Sequence, residues 1–236
     1  MTLARPFRGF RFPPDVILWA VRWYLQFAVS FRDLELMLAD RGVQVDHVTL
    51  YRWTQRFAPE LAVRMRQHLR PCRGAWHVDE TYVRIAGDWH YLYRAVDDTG
   101  QTADFLLSAK RDMHAARRFF RRALGRSHTP SPRTIITDRL GGYRGALRAM
   151  KRDGELWRFA RHRRGRWLNN WVEQDHRRVK RRTGPMLGFK RFVTARRTIA
   201  GVEAMNMLRT GQVAAVPIND MPLQQGFIAT LFGLTR

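Results

Sequence analysis

Residues 76–97 read Trp76-His-Val-Asp79-Glu80-Thr-Tyr-Val83-Arg-Ile-Ala-Gly87-Asp88-Trp89-His-Tyr-Leu-Tyr-Arg-Ala-Val96-Asp97. Trp76 to Val83 alternates in period two, as a strand does when successive side chains point to opposite faces. Trp89 to Val96 reads as a second strand, and Gly87-Asp88 between them predicts a hairpin turn. Asp97-Asp98-Thr99-Gly100 predicts a second turn and Thr102–Leu107 a third strand. Strands joined by such tight turns must run antiparallel.

Downstream the pattern changes. Met113–Leu124 reads as a helix, Thr129-Pro130-Ser131-Pro132 as a connector, and Thr134–Thr137 as a short buried strand ending at Asp138. Tyr143–Met150 is helical, Leu156–Phe159 a brief strand, Trp167–Val179 a helix carrying Glu173, and Ala195–Arg209 another helix. Strands reached through helices should be parallel to their neighbours. The expected class is α/β: a mixed sheet of three antiparallel strands, then parallel ones, flanked by helices.

Upstream, residues 15–70 read as all-helical. Val16, Leu18, Trp19 and Trp23 open an apolar stripe. Ser30 precedes Phe31-Arg-Asp-Leu-Glu as an N-cap, with Leu34, Met37 and Leu38 on one face. Arg41-Gly42 stops that helix, and Asp46 caps the next, on which Leu50, Trp53 and Phe57 recur at helical spacing. Two short helices around a turn suggest a helix-turn-helix. The opposite face of the second carries His47, Thr49, Arg52 and Arg56, groups suited to phosphates and base edges. A small helical bundle with a wet polar face is the bland alternative. The expected organisation is a basic arm over 1–14, a helix-turn-helix domain over 15–70, a catalytic domain over 71–210 and a tail over 211–236.

The charge narrows the partner. The chain of 236 residues carries 43 Lys+Arg against 20 Asp+Glu, a net +23. Such a chain repels itself, and the usual reason for it is a polyanion. All but four of the basic residues are Arg, the better bidentate phosphate binder. Residues 158–197 hold 14 basic side chains and two acidic ones, and Gly165, Gly184, Pro185 and Gly188 interrupt them. That favours a shaped nucleic-acid groove over one amphipathic helix lying on a membrane. At 45% hydrophobic the chain can build a core. It shows no span of roughly 20 apolar residues and no leader pattern. One cysteine, Cys72, excludes an internal disulfide and cysteine-based zinc modules. The expectation is a cytoplasmic, nucleoid-associated bacterial protein.

Asp79 within the first strand, Asp138 at the end of a buried strand and Glu173 on a helix are the carboxylates able to carry chemistry. Converging, they would repel unless cations filled the gap, and thiolate-free oxygen sites suit Mg²⁺ or Mn²⁺. Two such ions can activate an attacking oxygen and stabilise a leaving one in phosphoryl transfer. Each signal is weak alone. Asp79 could be an edge residue, Asp138 a loop cap, and Glu173 a surface partner of Arg177. Glu80 should point away from whichever face Asp79 lines.

These residues resemble a DDE transposase of the IS6 family. The resemblance is carried by Trp76–Val83, by Trp89–Val96 with Asp97, by Thr137-Asp138-Arg139, and by Asn169-Asn170-Trp-Val-Glu173-Gln-Asp-His176-Arg-Arg-Val-Lys180. The 34 residues between Asp138 and Glu173 match the family's spacing, and Val48-Thr-Leu-Tyr51-Arg-Trp53 with Phe57-Ala-Pro59 is similar to its helix-turn-helix. The likeness covers roughly residues 10–210. It implies an RNase H-like catalytic domain in which Asp79, Asp138 and Glu173 hold two Mg²⁺ or Mn²⁺ ions. It implies binding of the element's terminal inverted repeats and target double-stranded DNA, strand cleavage freeing a 3′-hydroxyl, and strand transfer to the target. That transposition is replicative and cointegrate-forming, by a homo-oligomer, at least a dimer, on paired ends. One departure stands out: after Asp138 the family carries Lys or Arg and then a segment with Ala or Pro before a Tyr, whereas this chain reads Arg139-Leu140-Gly141-Gly142-Tyr143. Two glycines there free the loop bearing Asp138.

Secondary expectations follow. Arg177 and Lys180 share a helical face with Glu173 and would contact phosphate. His176 would orient water or phosphate, or be a plain polar residue. His77 faces the same side as Asp79. Asp97 caps a turn in preference to being a fourth acid. Trp167 or Trp171 would stack on unpaired bases or pack in the core. Two other functions fit parts of this pattern. One is a catalytically decayed, sequence-specific DNA-binding protein, which the intact acidic trio opposes. The other is an RNase H-like host nuclease, which has no need of a helix-turn-helix.

Overall fold

The computed structural model describes residues 5–138, 141–165 and 170–234, apart from the side chains at positions 5, 141, 170, 171, 173 and 175. Two compact units emerge. One comprises residues 69–180 with 188–190, and the other residues 1–68, 181–187 and 191–236.

The first unit is built on a five-stranded sheet of β1 (Trp76–Ile85), β2 (Asp88–Asp97), β3 (Thr102–Ser108), β4 (Thr134–Thr137) and β5 (Arg161–Arg164). The spatial order is β3-β2-β1-β4-β5. The first three strands are antiparallel, and β4 and β5 are parallel to β1. This is the mixed arrangement expected from the order of strands and helices, and it agrees with the RNase H-like domain that the resemblance implies. The first hairpin closes one residue earlier than expected. Ile85 pairs with Asp88, and Ala86 (φ 52°) with Gly87 (φ 92°) supplies the two left-handed positions of a type I′ turn. The last strand also differs: it is Arg161–Arg164, not Leu156–Phe159. As an edge strand paired only to β4, it needs backbone bonds and little apolar burial. Leu156 and Ala160 are buried beside it, while Trp157 and Phe159 lie exposed.

Helix α4 (Met113–Leu124) turns Ala115, Ala116, Phe119, Phe120 and Ala123 inward and its arginines outward. Asp112 caps its first turn by accepting from the Ala115 amide. Helix α5 (Gly141–Arg152) packs alongside through Tyr143, Ala146, Leu147 and Met150. These side chains form one core with Trp76, Val78, Tyr93, Ala95 and Ile135 of the sheet. Each buried Phe there is worth roughly 1.5–3 kcal/mol of transfer free energy. Gly145 permits the close approach, since a Cβ there would lie 2.8 Å from the Met113 sulfur. Gly141 and Gly142, expected to loosen a loop, instead form the first turn of α5. Residues 139–140 fall outside the described residues.

The second unit is helical: α1 (Pro14–Gln26), α2 (Phe31–Ala39), α3 (His47–Met65), α7 (Phe192–Arg209) and α8 (Met221–Leu231). Ser30 caps α2 in a full capping box with Asp33, and Asp46 caps α3. Gly42 takes the left-handed position after α2 (φ 74°). Gly201 lets α7 approach α1 and α3, because a Cβ would lie 2.6 Å from Ala58 and 2.7 Å from Leu25. By contacts α7 and α8 group with the helical unit, whereas the expected boundaries at 71–210 and 211–236 follow the chain. Helix α6 (Asn170–Thr183) is assigned to the sheet unit up to Lys180 and to the helical unit from Arg181. No helix among the described residues is long and apolar enough to cross a membrane.

Candidate active site

The parallel pairing of β1 with β4 ends at Val78 opposite Thr137. The next residues, Asp79 and Asp138, therefore emerge side by side where the β4 ladder stops. On that edge β1 next meets a partner at Ile85, which bridges Phe189. Among the described residues no strand pairs with β1 on the edge between.

Asp79, Glu80 and Asp138 each bring a carboxylate oxygen within 4.8 Å of the others. Burial, followed by the charges of Glu80 and Asp138, pushes Asp79 up to about 7. The crowding is what a divalent cation would relieve, and the donors are all oxygen, the set that suits a hard ion. The residues present thus fit a divalent metal.

Glu80 departs from expectation. It does lie on the opposite face of β1, yet its longer side chain reaches the same cluster. Its side chain is 1% exposed, and its carboxylate is held by the Arg111 guanidinium and by the Tyr143 hydroxyl. Burial and the Glu80 charge hold the Tyr143 phenol well above its usual value, so it remains a donor. Neither Arg111 nor Tyr143 was singled out in the sequence. The available signal was Tyr143 itself, directly after the two glycines that open α5.

Helix α6 reaches this region through His176, whose Nδ1 lies 3.9 Å from Asp79 Oδ2. Burial, with Arg94 and Lys180 nearby, lowers His176 to about 3. The imidazole is neutral, so the contact is dipolar and not an ion pair. Its Nε2 is buried without a hydrogen-bond partner among the described residues. Arg94, directly opposite Asp79 in the β1–β2 register, is fully buried. Glu173 lies on α6, but its side chain is outside the described residues, as are those of Trp167 and Trp171. Val172, His176 and Val179 form the buried stripe of α6, while Arg177 and Lys180 are exposed.

Other expected residues have local duties. His77 is buried and bonded through Nε2 to Asp98 Oδ1 at 2.9 Å, so it braces the β2–β3 turn. Asp97 is the turn cap it was expected to be, accepting from Arg73, Thr99 and Gln101 amides. In the helical unit, His47 Nδ1 lies 3.0 Å from Glu35 Oε2, and the Thr49 hydroxyl donates to Asp46 at 2.6 Å. Arg52 and Arg56 are exposed, Arg56 within 3.6 Å of Glu60. Cys72 is buried, and its thiol is pushed up to about 12 by burial and Asp97.

A family model described as a DDE domain, of the IS240 transposase type, matches residues 73–212. The chain belongs to the IS6 family of DDE transposases. It is 37% identical over 202 residues to the transposase of insertion sequence element IS257 in transposon Tn4003 of Staphylococcus aureus, covering 86% of this chain and 88% of that one. The transposase of the IS431mec element of S. aureus strain Mu50 matches to the same extent. A simian T-cell lymphotropic virus intasome in complex with a PP2A regulatory subunit aligns at TM-score 0.44 and 14% identity, over 60% of this chain and 49% of that one, too partial to argue from. The matched span starts just before β1 and takes in β1, β4 and α6, so it includes Asp79, Asp138 just past β4, and Glu173. The protein is an insertion-sequence transposase, an enzyme of a family that uses divalent metal.

Proposed function

We propose that this transposase binds the terminal inverted repeats of its element and carries out strand cleavage and replicative, cointegrate-forming strand transfer with Asp79, Asp138 and Glu173 as the catalytic carboxylates. The carrying observation is the convergence of Asp79 and Asp138 where the β1–β4 ladder ends, with Asp79 driven up to about 7 by its surroundings. The three carboxylates would hold two Mg²⁺ or Mn²⁺ ions. When bound, such ions supply Lewis-acid activation of an attacking oxygen and stabilise charge on the leaving one. Glu80, already neutralised by Arg111 and Tyr143, is a brace for the loop bearing Asp138. Exposed Arg177 and Lys180 on α6 bind phosphates.

The chemistry balances without a further reactant. Water attacks a phosphodiester at the element's end; a P–O bond forms, the bond to the 3′-oxygen breaks, and the leaving oxygen takes a proton. The freed 3′-hydroxyl then attacks a target phosphodiester, forming one P–O bond and breaking another. End recognition is assigned to α2 and α3, with Arg52 and Arg56 as the exposed contacts, while His47 and Thr49 shape the start of α3. The enzyme acts as a homo-oligomer, at least a dimer, on paired ends.

A plasmid cointegrate assay with the native ends tests this. The wild type is expected to form cointegrates, and Asp138→Asn none while keeping its binding to end DNA. No cointegrates from either protein, with end binding intact, would instead favour a decayed DNA-binding protein.

A further inference from the structure

The β1–β2 hairpin has two halves on its Glu80 face. Near the acidic cluster, Glu80 and Tyr93 are buried. Beyond them the same face continues through Tyr82, Tyr91, Trp89 and Arg84, which the register pairs as Tyr82 with Tyr91 and Arg84 with Trp89. Here the rings are open to solvent: Tyr82 is 49% and Trp89 60% exposed. Their ring centroids are 5.9 Å apart, and Tyr82 and Tyr91 are 5.5 Å apart. Arg111 joins the two halves. It holds Glu80, bonds the Tyr82 hydroxyl at 3.2 Å, and lies 5.8 Å from the Tyr82 ring and 5.9 Å from the Tyr91 ring. A strip of exposed aromatic and guanidinium groups thus begins one ion pair away from Asp79 and Asp138.

We propose that this strip is a stacking platform for unpaired nucleotides of the DNA strand whose phosphate is seated at the acidic cluster. The inference rests on the strand-transfer reading above. Cross-strand aromatic pairs also stabilise hairpins, but that role does not need the rings half-open or flanked by Arg84 and Arg111. Charge complementarity selects the occupant. A second copy of the chain would bring the same arginines and a net +23 against this face, whereas a nucleic-acid strand brings phosphates for the guanidiniums and ring faces for the aromatics. Base faces inside a duplex are already stacked, so the platform reads frayed or single-stranded DNA. Tyr82 lies two residues from Glu80, about 6–7 Å along the strand, within reach of a nucleotide beside the reacting phosphate.

The test uses the full-length chain and terminal-repeat duplexes, either blunt or with a short single-stranded extension carrying 2-aminopurine. The wild type is expected to bind the extended duplex more tightly and to quench the probe. Tyr82→Ala and Trp89→Ala are expected to lose affinity for the extended duplex on the order of tenfold, the scale of one base–aromatic stack, and to lose the quench, with blunt-duplex binding unchanged. Trp89→Phe keeps a stacking ring and retains both signals. Trp89→Leu keeps apolar bulk without one and loses both, which separates stacking from hairpin packing. Equal losses on blunt and extended DNA, no loss at all, or a changed oligomeric state in sedimentation would overturn the platform. Cointegrate formation by the wild type and its absence in Asp138→Asn read the strand-transfer assignment separately. That difference persisting while the platform variants behave as wild type removes the platform alone, and its absence while the stacking signals persist removes the strand-transfer reading alone.

Discussion

Asp79 and Glu80 are neighbours on one strand, and the protein treats them oppositely. Glu80 is given a guanidinium and a phenol, and its charge is satisfied within the fold. Asp79 receives a neutral imidazole at 3.9 Å and the repulsion of Glu80 and Asp138. A buried carboxylate with protein partners stiffens its surroundings. A carboxylate left crowded is poised for a cation from outside. The period of the strand sets the two on different faces of β1, and α4 and α5 cover the face of Glu80, so Glu80 finds partners there even though its carboxylate reaches the cluster at Asp79.

Removing Asp79 gives the largest expected effect. Asp79→Asn should lower cointegrate formation by roughly 10³-fold or more, the scale of losing several kcal/mol of metal-derived charge stabilisation. Its metal-free melting temperature should not fall, because the substitution removes repulsion. A clear drop in metal-free stability would mean that Asp79 is a structural anchor like Glu80. Glu80→Ala is expected to reverse the pattern, costing about 2–3 kcal/mol of stability, the lower range for breaking a buried pair because Arg111 is partly solvated. For a chain of this size that is a fall of several degrees in Tm.

Metal sharpens the contrast. Mn²⁺ at about 100 times its dissociation constant should stabilise the wild type by about 2.7 kcal/mol, read as a thermal shift that EDTA reverses. Asp79→Asn should lose most of that shift, whereas Glu80→Gln should keep it. Equal losses in the two variants would make Glu80 a ligand and dissolve the distinction.

Much of this is legible in the sequence. The period-two runs located β1 and β2, the residues flanking Phe31 and His47 gave both caps, and Met113–Leu124 matches α4 residue for residue. The misses share a cause: they depend on contacts distant in sequence. Arg161–Arg164 is a strand through its ladder with β4, which no apolar pattern announces. Alternation put Glu80 on the correct face, but not its reach around the end of the β4 ladder. His77 and Asp79 share a face, yet Asp98 claims the histidine from another turn.

Tyr143→Phe makes the smallest and most diagnostic cut. It removes only the hydroxyl that donates to Glu80 and leaves the ring among Tyr93 and Phe120. Glu80 retains Arg111, so the loss should be about 1.5 kcal/mol, the low end for one hydrogen bond to a charged group. Tyr143 stands in the first turns of α5, and slackening there shifts Glu80, whose carboxylate sits beside those of Asp79 and Asp138. Cointegrate formation should therefore drop only a few-fold, with the metal concentration for half-maximal activity little changed. A drop as deep as that of Asp79→Asn, at near-normal stability, would place the Tyr143 hydroxyl among the reacting groups. The difference between the two faces of β1 would then be one of degree, with both taking part in the chemistry.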